Sequence, residues 1–417
     1  MARRRCNSAA ACNLHATDDT SAKVDERLVG EQFVALLQAH LHRLHPHRDH
    51  PNRTLHYDTL ITTLLLGFYQ PADRSLRGMD DLSASDQAKA YLPGGRTPRS
   101  TLSDALGSFD PKALEPIVAA LMQRLPALNR TDSDLHALLK RIIAADGSLF
   151  TVPADVLWAI ALTRTNGKVG RQIRLNLQLD VLQFVPVHFD LSGAGDGSES
   201  AAFTRALQSD CIYLFDRNFV DFKFLHAVLD KNSDWVVRLK SDTVFVPLQE
   251  RRLDEKDKAA QVLSDRIGYL PGSAGSPGFG QRLLREVIVW DEKNKKQVRL
   301  LTTLLDIPAR TIGQLYRYRW MIELFFRWLK CIAKMEHLFS HNANGITLQL
   351  YVAVIAVLLS YLRTGQRPGV YEFNCLAWVA RGVMSVANMQ DVLQRRQRER
   401  DLAKARRLKK QAAQKQA

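Results

Sequence analysis

The segment from Tyr316 to Lys330 reads YRYRWMIELFFRWLK and holds one acidic residue among several cations. If this segment is helical, five of its polar residues fall within an arc of roughly 80°, opposite a bulky apolar face. These five are Tyr316, Arg319, Glu323, Arg327 and Lys330. A carboxylate fixed among cations is suited to hold a metal ion beside a phosphate. An amphipathic helix with a solvated polar face has the same pattern, so the stripe alone leaves both interpretations open.

Two aspartates, Asp146 and Asp216, end the apolar runs RIIAAD and CIYLFD, which are typical of buried strands. A carboxylate in such a place is costly unless it is paired or binds a metal, although many strand-end aspartates only cap a helix or form a turn. Asp180 and Asp190 are rival candidates that rank lower, because the first sits in a turn and the second at a strand end. Phosphoryl transfer on nucleic acids commonly uses two divalent cations about 4 Å apart. Together with Glu323, the two strand aspartates are the predicted ligands of Mg²⁺, with Mn²⁺ expected to substitute.

A second candidate phosphate site precedes a short helix in the first third of the chain. Pro98 and the pattern Thr101-x-x-Asp104 predict a helix start directly after basic residues. Basic and hydroxyl side chains at a helix N-terminus are suited to phosphate contact. The candidate contacts are Arg96, Arg99, Ser100 and Thr101.

The charge of the chain favours a polyanionic partner. Its formal net charge is +15 and its pI is near 9.7, so nucleic acid is the expected partner. The apolar stretch 346–362 is marginally short for a membrane span and carries polar residues, which predicts a buried helix and no membrane partner. The five cysteines match neither a disulfide framework nor a zinc pattern, and the N-terminus lacks the apolar region of a signal peptide, so we expect a cytoplasmic protein.

The elements that must position these residues follow from periodicity. Apolar spacing predicts helices from about residue 26 to 128, and then strands at 141–150, 171–180, 184–192, 211–219 and 235–241. Helices are predicted at 200–207 and 220–229, and again from 309 through about 338. The order strand, hairpin, helix, strand, helix, with a charged helix much later, predicts an α/β (α+β) fold of the ribonuclease-H-like kind.

The corresponding domain organisation has five parts. They are a disordered tail (1–25), a helical DNA-binding domain (26–130), a catalytic core (135–241 and 300–365), a β-rich insertion (242–299), and a C-terminal helical region with a basic tail (366–417). The tail, with nine Arg and Lys between 395 and 410, is expected to be solvated or to contact nucleic acid non-specifically.

The spacing Tyr316-x2-Arg319-x3-Glu323-x6-Lys330 resembles the Y-R-E-K signature of DDE transposases from bacterial insertion sequences, in the family called "IS four". The resemblance extends in order along most of the chain. The segments SLRGMDD and TPRSTLSDAL resemble the DNA-binding region of that family, DGSLF its first aspartate block, and FDRNFVDF its second. The segment NANGITLQ, which follows the signature, is also similar.

The resemblance implies that Asp146, Asp216 and Glu323 form a metal-binding catalytic triad on a ribonuclease-H-like core, with a mostly β insertion before the glutamate. It implies that Tyr316, Arg319 and Lys330 contact DNA near the cleaved transposon end, whereas the role of Arg327, outside the signature, stays open. The implied reaction is hydrolysis at the terminal inverted repeats, followed by attack of the free 3′-hydroxyl on target DNA. The implied partner is double-stranded DNA, bound by a homodimer or a larger assembly.

Three alternatives remain at this point. The chain could be a DNA-binding protein descended from a transposase, although an intact triad argues against that. It could instead be a structure-specific nuclease on the same fold. The loop GAGDGS (193–198) raises the possibility of a nucleotide-dependent oxidoreductase, but its glycines lack the G-x-G-x-x-G spacing and no lysine follows, so no nucleotide cofactor is expected.

Overall fold

The computed structural model describes residues 31–47, 55–69, 75–92, 94–125, 138, 140–163, 169–272, 279–280, 282–331, 337–364, 375 and 384–416. The predicted disordered tail at 1–25 lies outside these ranges. Helices within the described ranges are α1 (Glu31–Leu41), α2 (Tyr57–Tyr69), α3 (Leu76–Ala84), α4 (Arg99–Ser108), α5 (Glu115–Gln123), α6 (Glu199–Arg205), α7 (Phe222–Asp230), α8 (Glu255–Ala259), α9 (Ala309–Tyr318), α10 (Trp320–Cys331), α11 (Ala343–Thr364) and α12 (Val386–Gln416).

The strands of these ranges form one mixed sheet. They are β1 (Arg141–Val152), β2 (Ile160–Thr163), β3 (Val169–Asp180), β4 (Val185–Ser192), β5 (Cys211–Phe215), β6 (Asp234–Arg238), β7 (Val246–Glu250), β8 (Val262–Tyr269), β9 (Leu284–Asp291) and β10 (Lys296–Thr302). The order is β2-β3-β1-β5-β6-β10-β9-β8-β7, and β4 also pairs with β3. β1 is antiparallel to β3 and parallel to β5, and β5 is parallel to β6. This is the predicted ribonuclease-H-like arrangement.

The two faces of the sheet pack against different layers, as the alternation of side chains along a strand requires. On β1, Ile142 and Ala144 belong to the core that also contains α10 and α11, whereas Ile143 and Ala145 belong to the core that contains α6 and α7. The even-numbered residues of β1 therefore face α10. This alternation decides which helix each polar side chain of β1 can reach.

Four of the first five helices (α1, α2, α4 and α5) pack against α11, which comes from the C-terminal half of the chain, and α3 packs against α2 and α4. Tyr69 donates a hydrogen bond to the carbonyl of Ala356 (3.1 Å), and Tyr351 to Glu115 (3.2 Å). In the described part of the chain, Ala343–Leu362 is the one stretch long and apolar enough to cross a membrane, and 89% of it is buried inside the protein. A helix that is apolar on all sides needs neighbours on all sides, and the prediction of a buried helix at 346–362 is confirmed.

The β-rich segment after β6 is continuous with the sheet, because β10 pairs with β6. Its centre is a buried ion pair between Arg285 and Asp265, with Nε–Oδ1 and Nη2–Oδ2 distances of 2.8 Å. The same guanidinium donates to the carbonyls of Leu304, Leu305 and Ile307, in the segment that enters α9. A desolvated guanidinium needs such partners for its donors, and here they fix the chain that leads to Glu323.

Two local predictions are wrong in detail. The single helix expected over 316–330 is divided at Arg319, where the N–H groups of Arg319 and Ile322 donate to carbonyls three residues earlier, as in a 3-10 turn. The helix start expected at Thr101 lies earlier: α4 begins at Arg99 after Pro98, with no side-chain cap of its own. The Arg99 N–H donates instead to Asp80 of α3 (3.2 Å), so a residue from another helix takes the place of a local cap.

Candidate active site

Asp146 and Asp216 lie at the same level of two neighbouring strands. Ala144 pairs with Leu214 in the parallel ladder of β1 and β5, and each aspartate stands two residues beyond this pair. Both side chains therefore project from the face that carries α10. Asp216 also caps the turn 217–219, since one of its carboxylate oxygens accepts the N–H of Asn218 at 2.9 Å. The cap uses Oδ1 of Asp216, so Oδ2 of the same carboxylate is still available to bind a cation.

Glu323 reaches the same face from α10, which packs against β1 and β3. The guanidinium of Arg319 lies between two carboxylates: Nη2 is 2.5 Å from Oε1 of Glu323, and Nη1 is 4.0 Å from Oδ2 of Asp146. Arg319 also lies 5.7 Å from the ring centre of Tyr316. The break between α9 and α10 is what allows one residue to face both the helix and the strand.

Lys330 and Arg327 occupy different environments on α10. The ammonium of Lys330 lies 4.9 Å from the ring centre of Phe150, which is on the same strand as Asp146. Arg327 is exposed to solvent. Tyr316 is half-buried, and burial raises the pKa of its hydroxyl further above neutral pH. Arg319 and Tyr316 thus lie beside the carboxylates, Lys330 lies further along β1, and Arg327 is exposed.

Asp146 is the carboxylate whose ionisation is most disfavoured by its surroundings. Burial, and then the negative charge of Glu199, raise its pKa to about 7, against the opposing effect of Arg319. Burial also raises the pKa of Glu199. Burial is the main cause of both shifts, and positive charge bound beside the two carboxylates would offset it. A divalent cation would supply that charge.

Glu199 is the residue of this site that the sequence analysis missed. It is the first residue of α6, after the capping residue Ser198. The predicted helix began at residue 200, which left Glu199 in the glycine-rich loop. An acidic residue in the first turn of a helix usually stabilises that helix, so nothing in the local sequence marks it as part of a site.

The other candidates have local roles. Asp180 accepts the N–H groups of Leu182 and Gln183 at 3.0 Å, in agreement with its prediction as a turn residue. In the N-terminal region Arg96 pairs with Asp80 at 2.6 Å, so its guanidinium holds α3 against the start of α4. Ser100 is exposed and Thr101 half-buried in the first turn of α4. Of the four candidate contacts there, Arg96 is therefore already engaged within the protein.

The donor set fits a hard divalent cation, since three carboxylates from three different elements share one face. Within the described ranges, no group of three or more His, Cys, Asp or Glu side chains is close enough to hold a metal ion as the structure stands. The guanidinium of Arg319 lies between Glu323 and Asp146.

Comparison with known proteins identifies the family. Residues 137–359 match the model of the transposase DDE domain, so this chain belongs to that family. A protein of Sinorhizobium fredii whose name describes it as a transposase is 26% identical over 47% of this chain and 54% of its own length. A protein of Geobacillus stearothermophilus, named as the transposase of an insertion sequence element, is 27% identical over 40% of this chain and 42% of its own length. The chain thus spans about half the length of these relatives.

A solved structure of the piggyBac transposase, in a synaptic complex with hairpin DNA, can be aligned with this chain. The alignment covers 90% of this chain and 80% of the piggyBac chain. The two share 12% identity and the TM-score is 0.41, a similarity too low to bear on function. The fold assignment therefore rests on the strand order of this chain, and the family assignment on the match at 137–359.

Proposed function

We propose that this chain is a DNA transposase that cleaves the terminal inverted repeats of an insertion sequence and joins the released 3′-hydroxyl to target DNA, by a cut-and-paste route. One observation carries the proposal. Asp146 and Asp216 stand at one level of adjacent parallel strands, and Glu323 meets Asp146 across the guanidinium of Arg319. Family membership supports the same assignment, and the Y-R-E-K spacing favours the "IS four" group within it.

Asp146, Asp216 and Glu323 would hold Mg²⁺, or Mn²⁺ in its place. The bound cations would lower the pKa of the attacking hydroxyl and stabilise charge on the leaving oxygen. In the first reaction, water attacks the phosphorus at the transposon end, and the 3′ oxygen leaves with a proton as a hydroxyl. In the second, that hydroxyl loses its proton, attacks a target phosphodiester, and the target's 3′ oxygen leaves. The carboxylates position both reactants on one face of the sheet.

Tyr316, Arg319 and Lys330 are the proposed contacts to the DNA strand that is cut. Arg319 can form two hydrogen bonds to one phosphate, and it already lies beside two of the three carboxylates. Tyr316 donates through its hydroxyl and Lys330 contributes a point charge. Arg327, on the exposed side of α10, is proposed to contact DNA further from the reacting phosphate, together with Arg99, Ser100 and Thr101 of α4.

The partner is double-stranded DNA, both the element's ends and the target, and the working form is a homodimer or a larger assembly that holds two ends together. The net charge of +15 supports the choice of a polyanion. We place the protein in the bacterial cytoplasm, on chromosomal DNA.

The test is cleavage of DNA that carries the inverted repeats flanking this gene. With Mg²⁺, the wild-type chain should release the element's ends, and Asp146→Asn and Glu323→Gln should lower the rate at least about a thousandfold. Binding to end DNA, measured by gel shift in EDTA, should change less than about threefold. Glu255→Gln, which removes an exposed carboxylate outside the site, should cleave like the wild type.

Retained cleavage in Asp146→Asn would refute the assignment of the triad. Preference for branched junction DNA over inverted-repeat DNA would instead favour a structure-specific nuclease. Binding to the ends without cleavage in either metal would favour a DNA-binding protein that has lost catalysis.

A further inference from the structure

At Gly147, the residue after Asp146, strand β1 and helix α6 lie very close together. Because Asp146 faces α10, the position of Gly147 faces the opposite side of the sheet, where α6 lies. A Cβ added at residue 147 would lie 2.9 Å from the carboxyl carbon of Glu199 and closer still to its Oε1. The missing side chain therefore makes the space that the Glu199 carboxylate occupies.

The same carboxylate shares a hydrogen-bond donor with Asp146. The Gly147 N–H donates to Oδ1 of Asp146 at 2.9 Å and lies within hydrogen-bonding reach of Glu199. Oδ2 of Asp146 faces Arg319 on the other side. Glu199 thus approaches the edge of Asp146 that Arg319 leaves open.

A set of polar contacts from β3 holds Glu199 in this place. Arg174 donates to the carbonyl of Gly197 (3.0 Å), two residues before Glu199, and to Oδ1 of Asn176 (3.1 Å). Asn176 is paired directly with Gly147 across the strands and donates to Ser192 at 2.6 Å. Side-chain atoms of Arg174 also approach the position of a Cβ at residue 147, at 3.3 Å. The loop before α6 is therefore fixed to the strand beside Asp146.

We propose that Glu199 is a fourth carboxylate of the metal centre, which binds the divalent cation together with Asp146, and that Gly147 is required because any side chain there would displace it. The inference rests on the proposed function, since it assumes that the centre at Asp146 takes a divalent cation. A purely structural role would be to accept the Gly147 N–H, which a glutamine does equally well, or to neutralise the nearby charge of Arg174. Neither structural role would make Mn²⁺ binding depend on Glu199. A metal ligand needs the negative charge.

The experiment measures Mn²⁺ binding to the purified, metal-free full chain by calorimetry and by the electron paramagnetic resonance signal of free Mn²⁺. Glu199→Gln should weaken binding about 10- to 100-fold. Gly147→Ala, which keeps every carboxylate but fills the space of Glu199, should weaken it to a similar extent. The double variant should be little weaker than either single one, because both changes remove the same ligand.

Glu255→Gln is the matched control. Glu255 is also the first residue of a short helix after a capping aspartate, but it is exposed and pairs only with Lys258 among the described residues. It should bind Mn²⁺ like the wild type. Should Gly147→Ala fail to fold, judged by its thermal melt, Glu199→Gln decides alone.

The outcomes separate this inference from the function on which it rests. If Asp146→Asn loses Mn²⁺ binding and Glu199→Gln keeps wild-type affinity, Glu199 is structural and the inference is overturned. If Asp146→Asn itself binds Mn²⁺ normally, the proposed metal centre fails as a whole.

Discussion

At the scale of single residues, the environment of Asp146 couples folding to protonation. Burial and the nearby Glu199 raise the pKa of Asp146 to about 7, whereas an aspartate in an unfolded chain titrates near 3.9. Between these values the folded state binds a proton that the unfolded state releases. The free energy of unfolding therefore falls as pH rises from about 4 to about 7, and the decrease is complete above pH 7.

The substitution Asp146→Asn should remove this pH-dependent loss of folding stability. In EDTA at pH 8 the variant should be more stable than the wild type by about 1–3 kcal/mol, and below about pH 3.5 the difference should vanish because the wild-type side chain is then neutral in both the folded and the unfolded state. Thermal melts across this pH range measure the effect. Identical pH dependence in the two proteins would mean that Asp146 is not disfavoured as a carboxylate in the folded state.

At the scale of elements, the break between α9 and α10 gives Arg319 its position. In this structure the guanidinium contributes the positive charge between Glu323 and Asp146. A cation that binds to these carboxylates has to compete with it, and a phosphate bound to Arg319 would release it from them. Metal binding and DNA binding are in this way linked through one side chain.

Arg319→Ala should therefore have opposite effects on two measurements. Without DNA, Mn²⁺ affinity should increase about three- to tenfold, because a competing positive charge is removed. Cleavage of end DNA should fall about a hundredfold or more, because the variant has no guanidinium to bind the phosphate. Arg327→Ala is the control from the exposed side of α10, and its Mn²⁺ affinity should stay unchanged. Weaker Mn²⁺ binding in Arg319→Ala would contradict the link.

The sequence predicted which helices and strands form more accurately than it predicted where they end and what they contact. Asp146 and Asp216 could be picked out as candidates because each follows an apolar run, and the order of patterns along the chain predicted the ribonuclease-H-like fold. The division of the helix at Arg319 could not be predicted, since the residues on both sides have helical periodicity. The true start of α4 and the role of Glu199 both depend on partners distant in sequence, Asp80 and Gly147, whose proximity only the folded chain creates.

At the scale of the whole molecule, the positive charge is concentrated partly in α12. This helix of 31 residues carries exposed Arg398, Arg400 and Arg406. Such a surface favours binding to DNA of any sequence, with an affinity that falls steeply as salt rises. We expect it to contribute affinity for DNA and no sequence specificity.

Replacing Arg398, Arg400 and Arg406 by glutamine should weaken binding to random double-stranded DNA about 10-fold or more at low salt. The slope of log affinity against log salt should become shallower by about 0.9 for each phosphate that the variant no longer neutralises. Fluorescence anisotropy at several salt concentrations measures both quantities. An unchanged slope would show that these arginines of α12 do not bind phosphates, and melting temperatures should confirm that the variant is folded.

The position of α11 among the first five helices also sets the order in which the protein can be completed. Tyr69 and its hydrogen-bond partner Ala356 are separated by 287 residues. At roughly 5–20 residues per second, the ribosome needs on the order of 15–60 s to supply that partner after Tyr69 has been made. During this time the apolar faces of the first helices have no central helix to cover them. The N-terminal region is thus first in synthesis but among the last parts to be finished in folding.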